Sequence, residues 1–257
     1  TYMFRRVEIK NGSQLYVGSY DGSGGSGSLK IIADTIFVDG SSAIVADGRG
    51  YRPISSGSGE GPGGGGRGSG DGGGGGGYGG GGGCGVNDDR PVCDSTGGGT
   101  YGDASSKSIE MGSAGGSGNE RDAWGGYGGG SLWLEANEVK IDGTISANGG
   151  NGAFRGDAGG GGSGGGVLLA GNSVSLWVNG TLRAIGGNGG SGDDGGGGGG
   201  GGRIKVFSAF GSVNGSVNVN GGAGDGNGLN NNGAGGTYQS TRMTPLYYIW
   251  QIDTPAF

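Results

Sequence analysis

The stretch SLWLEANEVKIDGTISANGGNG, residues 131–152, decides how this chain folds. Leu132 and Leu134, then Val139 and Ile141, then Ile145 and Ala147 alternate with polar residues, as a strand with one buried face requires. Asp142-Gly143-Thr144 interrupts the alternation, and beyond Ala147 the chain runs into glycine. The same order recurs along the sequence. Its corners are Asn11-Gly12-Ser13, Asp39-Gly40-Ser41, Asp142-Gly143-Thr144, Asn179-Gly180-Thr181 and Asn214-Gly215-Ser216. Upstream strands read SLKII (28–32), SLWLE (131–135), GVLLA (166–170) and RIKVF (203–207). Downstream returns read ADGRG (46–50), ANGGNG (147–152), AIGGNGG (184–190) and VNGGAG (219–224). These are internal repeats.

The repeats settle a question that composition leaves open. Glycine makes up 80 of 257 residues, and Leu, Ile, Val and Phe together number only 43, a profile that invites disorder. Yet 32 of those 43 fall in the windows 7–20, 29–46, 132–147, 167–185 and 203–220. A disordered chain has no reason to segregate them. No segment keeps helical spacing beyond one turn, and glycine at this density opposes helix, at ~1 kcal/mol per residue against alanine. The chain is expected to be all-β and a single domain over residues 1–257. The Asn/Asp-Gly pairs are expected to supply the positive φ of a sharp corner. Such a corner can close a hairpin or pass between two sheets of a parallel β-solenoid (β-helix). The solenoid is favoured, because the glycine excursions between copies behave as insertions into stacked rungs.

Collagen is excluded by the lack of a Gly-X-Y period and by only five prolines. Unbroken glycine runs occupy residues 63–66, 72–77, 159–162 and 195–202. Composition alone reads them as flexible linkers. They lie between patterned strands, however, and a structureless insertion over 48–130 would be unusual in a compact domain. The alternative is polyglycine II: extended threefold helices packed side by side and hydrogen-bonded laterally, where any side chain would hold the backbones apart.

The strand copies with NGT or DGT corners, the close ADGRGY (46–51), the stretch GEGPGGGG (59–66) and the GGG-rich returns resemble glycine-rich β-helical domains of large secreted and surface proteins of protists and bacteria. The likeness runs from Val7 to about Gly236. The tracts separately resemble those of polyglycine II proteins, the glycine-rich phage tail adhesins and the snow flea antifreeze protein. The resemblance implies extracellular structural or adhesive work and carries no catalytic motif.

Sixteen basic against 22 acidic residues leave a net charge of −6, a poor match for nucleic acid or anionic membrane. No apolar run reaches the ~18 residues of a membrane span, so no membrane insertion is expected. Thr1 has no signal-peptide pattern behind it, so any signal peptide is expected to be removed or to lie outside this sequence. Cys84 and Cys93 lack the partners of a zinc site or a catalytic thiol and are read as a disulfide, which points to an oxidising compartment. Asn11, Asn179 and Asn214 lie in N-glycosylation sequons, although the corner itself also calls for Asn-Gly. Residues 189–194, GGSGDD, begin a calcium nonapeptide without its apolar residue, and Asp88-Asp89 and Asp193-Asp194 are read as solvated loop charges. GxGxxG matches are expected by chance at this glycine content. Glu135 with Glu138, or Asp34 with Asp39, imitates the paired acids of solenoid glycosidases. They stand at strand ends or corners with no histidine beside them, so no enzyme, cofactor or metal is expected.

Tyr51, Tyr78, Tyr101, Trp124 and Tyr127 sit in the glycine-rich insertion, either as a ligand-contact surface or as a mini-core capping the glycine layers. Residues 238–257 break the repeat, and Tyr247, Tyr248 and Trp250 are candidate assembly contacts. TYMF at residues 1–4 is likewise apolar. The expected function is a non-enzymatic structural subunit or domain of an extracellular or cell-surface filament, sheath or appendage. It would assemble through its apolar ends with identical subunits or with neighbouring domains of a longer chain. An adhesin binding glycans or a cell-surface receptor through the aromatics is the alternative, and an ice-binding protein the third.

Overall fold

A computed structural model describes residues 1–87, 89–90, 92–225 and 229–245. The described residues contain strands and no helix. Each corner separates a long strand from a short one. The long strands are β1 (Tyr2–Ile9), β3 (Ser28–Val38), β7 (Ser131–Ile141), β9 (Gly166–Leu176) and β11 (Arg203–Phe210). The short ones are β2 (Gln14–Tyr16), β4 (Ala43–Val45), β8 (Thr144–Ser146), β10 (Thr181–Arg183) and β12 (Ser216–Asn218). The long strands form a sheet in the order β1-β3-β7-β9-β11, which β13 (Thr237–Arg242) extends, and the short strands form a second sheet in the same copy order. Every pairing in both sheets is parallel, which rules out the hairpin arrangement.

The register puts equivalent residues of the copies in columns. Ile36, Val139 and Val174 align in the long sheet, and Leu15, Ile44, Ile145, Leu182 and Val217 in the short one. These columns meet between the sheets as one core, in which Ile36, Ile44, Leu132, Leu134, Val139, Ile141, Ile145 and Leu182 are fully buried. Each such side chain contributes roughly 1.5–3 kcal/mol by leaving water. The alternation slips once per long strand. Ala136 and Val139 are both buried although three apart, and pairing skips the column of Asp34, Asn137 and Asn172. The strand bends there and restores its core face one residue late.

The corners need glycine for a different reason from the one expected. Positive φ occurs only in the first, at Asn11 (59°) and Gly12 (74°). At Gly143, Gly180 and Gly215, in the last three copies, the constraint is stacking. A methyl at Gly143 would lie 2.3 Å from the Asp39 carbonyl oxygen, and one at Gly215 would lie 2.2 Å from that of Gly180. Backbone bonds between corners require this approach: Thr181 N–H donates to Gly143 O, and Ser216 N–H to Gly180 O, both at 2.9 Å. Asp39 adds a side-chain bond, accepting the Asn11 N–H at 2.8 Å.

Two boundaries differ from expectation. The first copy begins at Tyr2 rather than Val7, and β13 (Thr237–Arg242), which reaches into the segment 238–257 assigned to the non-repeat end, is the sixth strand of the long sheet. Period-two apolar patterning could not reveal it, because TYQSTR is polar on both faces.

The glycine runs lie outside any strand and are nevertheless ordered by hydrogen bonds, and residues 72–77, 159–162 and 195–202 are buried throughout. Within residues 195–202, successive N–H groups address three different neighbours and return to the same one every third residue. Gly196, Gly199 and Gly202 donate to Gly190, Gly187 and Ala184; Gly197 and Gly200 donate to Gly73 and Gly76; Gly198 and Gly201 donate to Asn231 and Ala234. The carbonyls follow the same rhythm. Gly161 and Gly164 donate to Gly197 and Gly200, Gly83 and Gly80 to Gly198 and Gly201, and Asp225 and Gly222 to Gly196 and Gly199. All of these bonds are 2.7–3.0 Å long. One tract thus stands among six others. Residues 72–77 repeat the pattern: Gly73 and Gly76 donate to Ala158 and Gly161, Gly74 and Gly77 to Gly66 and Gly63, and Gly72 and Gly75 to Val86 and Gly83.

No glycine in residues 195–202 has a positive φ, so conformational licence is not what demands glycine here. Room is. A methyl at Gly199, Gly200 or Gly201 would stand 2.0, 2.1 or 1.9 Å from the carbonyl oxygen of Gly162, Gly80 or Val219. Each face of the tract meets backbone.

Candidate functional site

The aromatic residues of the insertion divide between interior and surface. Tyr78 is fully buried, its hydroxyl donating to Glu110 Oε2 at 2.8 Å and accepting the Glu110 N–H at 3.0 Å. Tyr101 packs on it with ring centroids 4.8 Å apart, donates to the Met111 carbonyl, and accepts from Ser113 Oγ at 3.1 Å. Arg203 stands over the Tyr78 ring and donates to Tyr101 O at 2.8 Å. Burial pushes both phenols well above their ordinary pKa. These two tyrosines form the mini-core, and Tyr78 has no surface to offer a ligand. Tyr51 packs edge-on against Tyr20 at 5.1 Å. Trp124 and Tyr127, three residues apart, point outward and are exposed. Next to them Ala153 and Gly150 N–H groups donate to the Trp124 and Tyr127 carbonyls. That neighbouring tract carries Asn148 and Asn151, whose Oδ1 atoms accept the N–H of Ile185 and Asn188 at 2.9 Å. Asn188 repeats the bond to Ala223. The outer glycine surface is therefore a regular face bound by asparagine side chains, with two aromatics at its side.

Glu135 and Glu138, read as an imitation pair, have other partners. Lys107 and the Trp133 indole N–H both donate to Glu135, at 2.7 and 2.9 Å. Burial works against the charge, but these two bonds hold its carboxyl below the ordinary value. Glu138 pairs with Lys140 at 2.8 Å. Asp194, expected in solvent, is buried, with its backbone bridged to Asp157. Among the described residues no cluster of three or more metal-ligating side chains exists; Asp88 lies outside them. Cys84 and Cys93 form the disulfide and frame a small antiparallel pair, β5 (Gly85–Val86) and β6 (Cys93–Ser95). Asn11, Asn179 and Asn214 are all exposed at corners.

Lys205 was hidden in RIKVF as an outward strand residue. It is almost fully buried, and its ammonium donates to the carbonyls of Asp103, Ser106 and Ser108 at 2.5–3.0 Å. The segment it clamps covers the outer face of the long sheet, where Ile109 packs on Leu168, Ala170 and Phe207. The unbroken run GVLLA was the available signal, since a strand apolar on both faces is covered on both.

Four exposed apolar side chains gather at the first edge of the stack. β1 and β2 each have one pairing partner, leaving their outer edges open. Tyr2, Met3, Phe4 and Tyr16 are 59%, 76%, 51% and 55% exposed. Between the two edge strands a groove of about 390 Å³ is lined by Tyr2, Phe4, Leu15, Tyr16, Leu29 and Ile31. The opposite edge differs. On the core side of β13 stand Tyr238, aligned with Ile204, and Ser240, aligned with Val206, so that end carries one aromatic among polar residues. Tyr247, Tyr248 and Trp250 lie outside the described residues.

Comparison with protein-family models, with curated proteins and with solved structures finds no match for this chain. No helix among the described residues is long and apolar enough to cross a membrane. The Cys84–Cys93 disulfide fits an oxidising compartment.

Proposed function

We propose that this chain is a parallel β-solenoid whose returns pack as polyglycine II helices. Its function in this proposal is that of a non-enzymatic structural subunit or domain of an extracellular filament, sheath or surface appendage. The solenoid reading is supported by the repeated passage from long to short sheet with copies in register, and polyglycine II by the three-residue rhythm of hydrogen bonds to six neighbours. The assembly role rests on one observation, the apolar groove and open strand edges at Tyr2–Ile9 and Gln14–Tyr16. Soluble monomers rarely leave a strand edge and an apolar groove side by side, because the pair templates association. Sedimentation over a wide concentration range, with electron microscopy of the same samples, tests the role. Species growing beyond dimer, and elongated particles one solenoid wide, are expected; a monomer at every concentration contradicts it.

A second reading, an adhesin, is favoured by the exposure of Trp124 and Tyr127 beside the asparagine-bound face. Flat aromatics next to amide groups suit sugar stacking. Glycan-array binding that disappears in the Trp124→Ala, Tyr127→Ala double variant would support it, and unchanged binding would refute that site.

A further inference from the structure

Resting on that assembly reading, we infer that the occupant of the first-edge groove is the segment LYYIWQI, residues 246–252, of a second copy of this chain. It adds to the open edge of β1 as a strand. Three observations lead there. First, the described far edge is a poor match for the groove: stacking β13 directly on β1 would set Ser240 and Arg242 against the ring of Phe4 and its neighbours. Second, residues 246–252 have the complementary pattern. Tyr248, Trp250 and Ile252 fall on one face at period two, as needed to cover Tyr2, Phe4 and Leu29 from above. The edge N–H and C=O groups of β1 supply the ladder that strand addition uses.

Third, distance excludes the chain's own groove. Met243 N–H still donates to Ser208 O at 2.9 Å, which ties the chain to β11. With Tyr248, Trp250 and Ile252 seated, only residues 244–247 are left to travel, and the five steps from Met243 to Tyr248 span at most about 18 Å. β1 and β13 stand at opposite ends of a six-stranded sheet, five inter-strand steps or about 24 Å apart. The segment falls short of its own groove, whereas a neighbour's groove can be brought to it. Each copy then offers one groove and one segment, and a head-to-tail contact of this kind propagates instead of closing.

The test uses two full-length variants, Phe4→Arg, which blocks the groove, and Trp250→Asp, which spoils the segment. Wild type should sediment as a growing series, each variant alone as monomer, and an equimolar mixture as a heterodimer with nothing larger. A synthetic peptide of residues 244–257, added in excess to wild type, should return the assemblies to monomer. This arm decides the matter even where a variant melts early. If wild type assembles while Trp250→Asp assembles equally well and the peptide has no effect, the segment is not the occupant, and assembly proceeds by another contact. If wild type never assembles, the assembly reading itself fails and this inference with it.

Discussion

Replacing Gly199 by alanine places a methyl carbon 2.0 Å from the Gly162 carbonyl oxygen. Real Cβ contacts essentially never fall below 3.0 Å, so the tracts 195–202 and 159–165 must separate by about 1 Å. The bonds joining them, Gly161 N–H to Gly197 O and Gly164 N–H to Gly200 O, are 2.9 Å long. Stretched by that amount they pass the hydrogen-bond limit. Two buried donors left without partners cost about 1–3 kcal/mol each, so the expected loss is about 2–6 kcal/mol. It is slightly offset by the smaller unfolded-state entropy of alanine, ~0.4–1 kcal/mol. For a chain of this size that corresponds to a drop in Tm on the order of 10 °C. Gly99→Ala is the control. Gly99 is exposed, has no positive φ, and its methyl would meet nothing within 4 Å. It should melt at the wild-type temperature or slightly above. Urea and thermal unfolding followed by circular dichroism compare the two. Equal stability of Gly199→Ala and Gly99→Ala would refute the claim that close backbone approach is what requires glycine in the tracts.

Three further outcomes follow from the described contacts. Asp39 is held at about 2, first by the Asn11 backbone N–H and then by Ser42 and Ser41. A carboxylate depressed in the folded state stabilises above its unfolded value and loses that contribution as pH falls, here between about 4 and 2. Asp39→Asn should flatten the fall of Tm over this interval relative to wild type, and an unchanged slope would refute the corner role of the carboxylate. Tyr78→Phe leaves the Glu110 carboxylate and N–H without their shared partner and should cost about 1–3 kcal/mol in urea unfolding; a loss below experimental error would place the pair in solvent. Reducing the Cys84–Cys93 disulfide frees a short loop, worth about 2–3 kcal/mol by chain entropy. Gly83 N–H still bonds Gly198 O, and Asn231 Nδ2 still bonds Cys84 O. Proteolysis should therefore begin within residues 85–92 and spare residues 72–83.

Much of the architecture was legible in side chains. The five corners and the alternation around Val139 and Ile141 suffice for paired sheets, because apolar residues announce the face they bury. What was not legible lies where side chains carry no such mark. β13 is polar on both faces, so its place in the sheet depends on backbone pairing with Arg203–Ser208. The corner glycines looked like positive-φ residues, whereas Gly143 and Gly215 are required by the copy stacked beneath them. Lys205 and Tyr78 are amphipathic, and burial of such residues is decided by what covers them, here the segment around Ile109 and Glu110. Residues 195–202 are the extreme case. Eight identical residues cannot say which six tracts surround them; the flanking strands choose the neighbours by fixing register at Arg203. Of the candidate site, the apolar TYMF was visible as a segment, but its position opposite Leu15 and Tyr16 across a groove required the stacking order.

The central claim is that the glycine is ordered by lateral hydrogen bonds, with the β-sheets holding it in register. Residue-resolved amide hydrogen exchange under native conditions tests it most directly. The amides of residues 196–202, each bonded to a neighbouring tract, should exchange as slowly as those of Val139 and Leu169 in the long sheet. Exchange of those glycine amides at unprotected rates, with the strand amides still protected, would contradict it.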